Sequence, residues 1–139
     1  MDRTLLDTDI FSEVLKAKNS RVVDRAAAYE AALGRFTISA ITVMEIVRGI
    51  YRLQRTEALG HFLEGLALVE ILSFDSETAK YAGRIYGELE RVGQPIGRAD
   101  PMIAATALQH GLTLATGNNG HFERICGLGY PLKLVDWRV

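Results

Sequence analysis

Three carboxylates and one polar loop carry the chemistry this sequence could perform. Asp7 follows the apolar run Thr4-Leu5-Leu6, and Glu45 stands early in a helix that follows a β-branched run. Asp100 opens an apolar helix, and Thr116-Gly117-Asn118 follows the run 112–115. Brought together, such carboxylates raise one another's proton affinity, and burial raises it further. A hard divalent cation removes that conflict. Mg2+ takes oxygen ligands, keeps several waters and uses only one or two protein carboxylates directly; Mn2+ accepts the same donors. No His or Cys is grouped beside these positions, so zinc is a poor match. A cation held there activates water and neutralises charge developing on a phosphodiester.

The elements must bring these positions together. Strands are predicted at 4–6, 36–41, 68–74, 112–115 and 132–135, from short apolar or β-branched runs. Helices are predicted at 10–16, 20–33, 42–55, 58–66, 76–92 and 100–110, with Gly34, Gly93 and Gly111 closing three of them. Strands separated by helices imply crossovers, hence an α/β fold with a parallel central sheet flanked by helices on both faces. In such sheets ligands gather beyond the carboxyl ends of the strands, where strand order reverses. Asp7, Glu45, Asp100 and the 116–118 loop all follow or adjoin strands, and so converge on one edge.

Each acid also has a purely structural reading. Asp7 could cap the helix that follows it. Thr42-Val43-Met44-Glu45 has the form of a capping box, and by helical angle Glu45 falls on the polar side with Arg48 and Arg52. Asp100-Pro101 has the form of an N-cap followed by a first-turn proline. Their joint placement after successive strands favours function.

Composition bounds the rest. The 139 residues carry 16 Lys+Arg against 17 Asp+Glu, a net charge of −1, with 48% apolar and 24% charged residues. That balance belongs to an ordinary globular chain, read here as one domain over 1–139 with no repeat or linker. The single cysteine, Cys126, excludes an internal disulfide and fits a reducing, cytoplasmic setting. No apolar run approaches the ~20 residues of a membrane span, and no secretory leader is expected from Met1-Asp2-Arg3-Thr4. Without a basic body, nucleic acid would have to be held by a local patch or through metal ions.

At these same residues the chain resembles the PIN-domain ribonucleases, specifically the VapC-type toxins of toxin–antitoxin pairs. The resemblance runs through Leu5-Leu6-Asp7-Thr8-Asp9-Ile10, Ile38-Ser39-Ala40-Ile41-Thr42-Val43-Met44-Glu45, the segment from Ile96-Gly97-Arg98 through Asp100-Pro101 to Ala105, Ala115-Thr116-Gly117-Asn118 and His121-Phe122. It implies a PIN fold, a Mg2+- or Mn2+-dependent endoribonuclease, and Asp7, Glu45 and Asp100 as the acidic metal site. It also implies tRNA or mRNA as substrate, a small VapB-like antitoxin as partner, and a homodimer. Many PIN nucleases carry a fourth acidic residue where this chain has Asn118, a further metal-site candidate; Asp9, where the family more often has Asn, could partly restore the charge. Thr116 and Ser39 could orient carboxylates, and Arg98 could meet phosphates. His121, beside Phe122, reads as a packing or rim residue. Apolar side chains on the outer helices could form a dimer face or an antitoxin groove.

The expected reaction is hydrolysis to 5′-phosphate and 3′-hydroxyl ends. Two other readings compete. Asp7-Thr8-Asp9 also resembles the opening of haloacid-dehalogenase-like phosphatases, with Asp7 as nucleophile, but Phe11 stands where that family has Thr or Val and Asp100 lacks an acidic pair. A catalytically inactive PIN-fold binding module is the other; the full set Asp7, Glu45 and Asp100 argues against it.

Overall fold

Thr4, Leu5 and Leu6 are all buried, as a continuous apolar run requires of a strand covered on both faces. The computed structural model describes residues 1–139. This run is β1 (Thr4–Leu6), the centre of a five-stranded sheet with β2 (Thr37–Ser39), β3 (Glu70–Leu72), β4 (Thr113–Ala115) and β5 (Leu134–Val135). All pairings are parallel, in the order β3-β2-β1-β4-β5. The connecting helices are α1 (Thr8–Lys16), α2 (Ser20–Leu33), α3 (Ala40–Arg52), α4 (Glu57–Gly65), α5 (Ser76–Arg91), α6 (Ala99–His110) and α7 (Asn119–Gly127). The chain lays β2 and β3 on one flank of β1, then returns to place β4 on the other. Strand order therefore reverses between β1 and β4, and the crevice beyond their carboxyl ends is where a ligand fits.

Alternation along the strands divides the core. Leu5 and its register partner Leu114 face a cluster with Ile85, Leu89, Ile103 and Phe122. Leu6 and its partner Ala115 face the opposite cluster, with Ile10, Tyr29, Ile38 and Trp137. In α6, Pro101 and every residue from Ile103 to Ala107 are buried, as its all-round apolar sequence predicts. Its alanines let the helix lie close to its neighbours.

Several predicted details are corrected. β1 keeps its predicted bounds, but the other strands are shorter than their apolar runs; β2 stops because its last residue turns directly into a cap, the Ser39 hydroxyl accepting from the Thr42 N–H at 3.2 Å. That makes Ser39 the cap of α3, so Thr42 and Glu45 form no capping box. Nor is Asp100 a cap. Arg98 holds that position, Asp100 is the second helical residue and Pro101 the third. Proline is tolerated there because the first N–H groups of a helix lack intrahelical partners. Helix α7 has no counterpart in the sequence prediction.

Candidate active site

The carboxyl end of β1 runs straight into α1, with Asp7 as the joint. Asp7 Oδ1 accepts from the Thr8 N–H at 2.8 Å, capping α1. Its Oδ2 accepts from Thr116 Oγ1 at 2.8 Å, and its own N–H donates to the Ala115 carbonyl at 2.8 Å. The cap reading of Asp7 holds, and the same side chain also bridges to the loop after β4. Asp7 is only 5% exposed. Burial, then the neighbouring charge of Asp9, lift its carboxyl from 3.8 to about 7; Asp100 adds to the rise, and the hydrogen bonds from Thr116 and Thr8 oppose it. Its hydrogen-bond partners are a hydroxyl and a backbone N–H, and no lysine or arginine pairs with it.

Glu45 reaches the same rim from α3. Its Oε1 accepts from Thr8 Oγ1 at 2.6 Å, and Thr8 Oγ1 lies 3.0 Å from Thr42 Oγ1. A hydroxyl has one proton. With that of Thr8 committed to the carboxylate, Thr42 donates to Thr8. Glu45 is half-buried and tied to α1, not solvated with Arg48 and Arg52, which are both exposed.

Asp100 enters from α6 and meets the loop after β4. Its Oδ2 lies 2.9 Å from His121 Nδ1 and accepts from Asn118 Nδ2 at 3.3 Å. His121 Nδ1 and Asn118 Nδ2 are themselves 2.8 Å apart. His121 therefore belongs to the cluster rather than to packing alone. It stands three residues after Asn118, one helical turn, which puts both side chains over the same carboxylate. Asp9 is placed differently. Its two oxygens accept from the Ile10 N–H at 2.7 Å and the Gly117 N–H at 2.9 Å, so it holds backbone. Burial raises its carboxyl's proton affinity, which these hydrogen bonds and Arg138 counter. Thr116 Oγ1 also accepts from the Asn118 N–H at 3.0 Å. Arg98 is exposed, at the N-cap position of α6 two residues before Asp100. The hydrogen bonds thus link Asp7 and Asp9 to Thr116 and Gly117, Asp100 to Asn118 and His121, and Glu45 to Thr8, while Arg98 makes none of these contacts and Ser39 serves as the cap of α3. One contributor that sequence reasoning missed is Arg138, whose Nη2 donates to the Gly117 carbonyl at 3.0 Å.

As the side chains lie, no three His, Cys, Asp or Glu groups form a ready-made metal cage. The donor set nevertheless fits a hard cation. Asp7 is a buried carboxyl with a raised proton affinity and no cationic partner, with Asp100 near enough to perturb it. A Mg2+-type site needs only one or two such oxygens and completes its shell with water.

The family model described as the PIN domain matches residues 4–128. The chain belongs to the PIN-domain family. Among its PIN-domain relatives, the tRNA(fMet)-specific endonuclease VapC of Shigella flexneri is 34% identical over 99% of each chain. Ribonuclease VapC2 of Haemophilus influenzae is 32% identical over 92% of this chain and 96% of its own. Among solved structures, the DNA-bound VapBC of Salmonella typhimurium matches with a TM-score of 0.81 at 33% identity, over 99% of both chains. The PIN fold and the nuclease family are those the carboxylate motifs pointed to, and the haloacid-dehalogenase alternative is set aside.

Proposed function

We propose that this PIN domain is a divalent-cation-dependent endoribonuclease, the toxin of a VapBC-type pair, hydrolysing a phosphodiester of a structured RNA such as tRNA. The observation that carries the reading is Asp7. A buried carboxyl, raised to about 7 by burial and by neighbouring acids, sits at the switch point of a parallel sheet with no side-chain cation to balance it. Asp7 and Asp100, with Glu45 and Asn118 at the rim, would hold Mg2+ or Mn2+. When bound, such a cation supplies positive charge against the phosphodiester and acidity to a water.

The remaining residues set geometry. Thr116 and the Thr8 N–H fix the two oxygens of Asp7. Asn118 and His121 fix one oxygen of Asp100 and leave the other free. Thr8, backed by Thr42, fixes Glu45. The exposed Arg98, two residues before Asp100, offers a phosphate contact that positions RNA without reading its sequence.

An open apolar groove of about 610 Å3 is walled by Phe11 and Val14 of α1, Ile46 and Ile50 of α3, and Phe62 of α4, with none of the site acids in its lining. We read it as the seat of the antitoxin, since an amphipathic segment in a groove buries such anchors. The test of function is cleavage of total RNA with Mn2+, with and without chelator. Chelator-sensitive cleavage producing 5′-phosphate ends is expected. A protein that binds RNA but never cuts it would instead be a binding module with an inactive site.

A further inference from the structure

Gly117 is pinned at both ends of its backbone. Its N–H donates to Asp9 Oδ2 at 2.9 Å, and its carbonyl accepts from Arg138 Nη2 at 3.0 Å. Arg138 is itself aimed by Asp136. The carboxylate accepts from Nε at 3.3 Å on one oxygen and Nη2 at 3.4 Å on the other, and from the Arg138 N–H at 2.9 Å. Gly117 needs no left-handed backbone, since it is not among the positive-φ glycines. A Cβ there would fall on the Arg138 guanidinium and push it off the carbonyl, whereas every other glycine in the chain has open space at that point. The residues on either side touch the acids: Thr116 holds Asp7, and Asn118 holds Asp100.

We propose that Arg138 is a positioning residue for the active-site carboxylates. Its guanidinium locks the Gly117 peptide, and through that peptide it keeps Thr116 on Asp7 and Asn118 on Asp100. Gly117 and Arg138 are a matched pair, the missing side chain of one making room for the fork of the other. The catalytic consequence rests on the nuclease reading above; the clamp does not. Arg138 is 39% exposed, so its removal leaves both core clusters intact.

The experiment compares wild type, Arg138→Ala, Arg138→Lys, Gly117→Ala and the Gly117→Ala/Arg138→Ala double variant of the full chain. Hydrogen exchange of the Gly117 amide is followed without metal or RNA. Exchange is expected to speed up roughly tenfold in Arg138→Ala, with α5 amides unchanged. In RNA cleavage, kcat is expected to fall about tenfold with KM nearly constant, as for a displaced catalytic group. Gly117→Ala should lose about as much, and the double variant no more than either alone. Arg138→Lys, which keeps the charge but not the fork, should recover little. Unchanged Gly117 exchange in Arg138→Ala, multiplying losses in the double variant, or full recovery by lysine would each overturn the clamp. A wild type that never cuts RNA would sink the nuclease reading, while the exchange rates still decide the clamp.

Discussion

Asp7 is destabilising as a charge and useful for the same reason. Folding places its carboxyl where burial and Asp9 hold the proton on up to about 7, against 3.8 ordinarily. Between those values the folded state keeps a proton that the unfolded chain has lost. This contribution to stability therefore falls as pH rises from about 4 to 7 and is fully absent above 7. Asp136 and Glu70 are shifted downward, so their contribution runs the other way and is lost on acidification. The comparison with Asp7→Asn isolates the first term. Asparagine keeps the cap, since its oxygen still accepts from Thr8. Metal-free Asp7→Asn should be as stable as wild type near pH 4 and more stable, by as much as ~4 kcal/mol, at pH 8; RNA cleavage should be lost. Urea melts across that range measure it. A variant less stable at pH 8 would make Asp7 a structural residue.

At the scale of elements, the site depends on joints where a strand ends and a helix begins without a loop: Leu6-Asp7-Thr8 and Ser39-Ala40. Such joints fix side chains at the carboxyl edge with little freedom. Helix α7 does the same for the last strand pair. Phe122 and Ile125 are fully buried and anchor the turn that carries Asn118 and His121 to Asp100. Phe122→Ala should cost about 3–5 kcal/mol by chemical denaturation and reduce cleavage through the displaced turn. A cost under about 1 kcal/mol would mean that α7 is not what holds this turn. The helix escaped sequence reading for physical reasons. Nine residues with two buried apolar positions, Phe122 and Ile125, and glycine at 120 and 127 give too little periodicity and propensity to separate it from a loop.

At the scale of the whole molecule, the proposed cation site and the proposed antitoxin groove share no lining residue. A cation bound only by the folded site stabilises by mass action, about 2.7 kcal/mol at a hundredfold excess over Kd. Mn2+ should raise the Tm of wild type by several degrees and that of Asp100→Asn by clearly less. Equal rises in thermal melts would remove Asp100 from the ligand set. The groove makes a separate claim. Ile50→Glu puts a charge into its apolar wall, away from the carboxylates, and should weaken capture of the antitoxin at least tenfold while free cleavage stays at wild-type level. Titrated inhibition assays distinguish the two effects.

The amino-acid sequence by itself determined the parallel α/β plan, because buried strands must be continuous apolar runs and crossovers need helices. It also placed Asp7 and Glu45 at one edge, because both follow strands that a parallel sheet turns to one side; Asp100 follows a helix, and only the packing of α6 brings it to the loop after β4. Only the tertiary structure decided what each acid does there. Local patterns allowed Glu45 a capping box and Asp100 an N-cap, and left His121 open between packing and the rim. Long-range contacts settled otherwise, tying Glu45 to Thr8, Asp100 to Asn118 and His121, and Asp9 to the Gly117 backbone. Arg138 lies 21 positions beyond Gly117, and no local spacing links the two. Their fit exists only once β4 and β5 lie side by side.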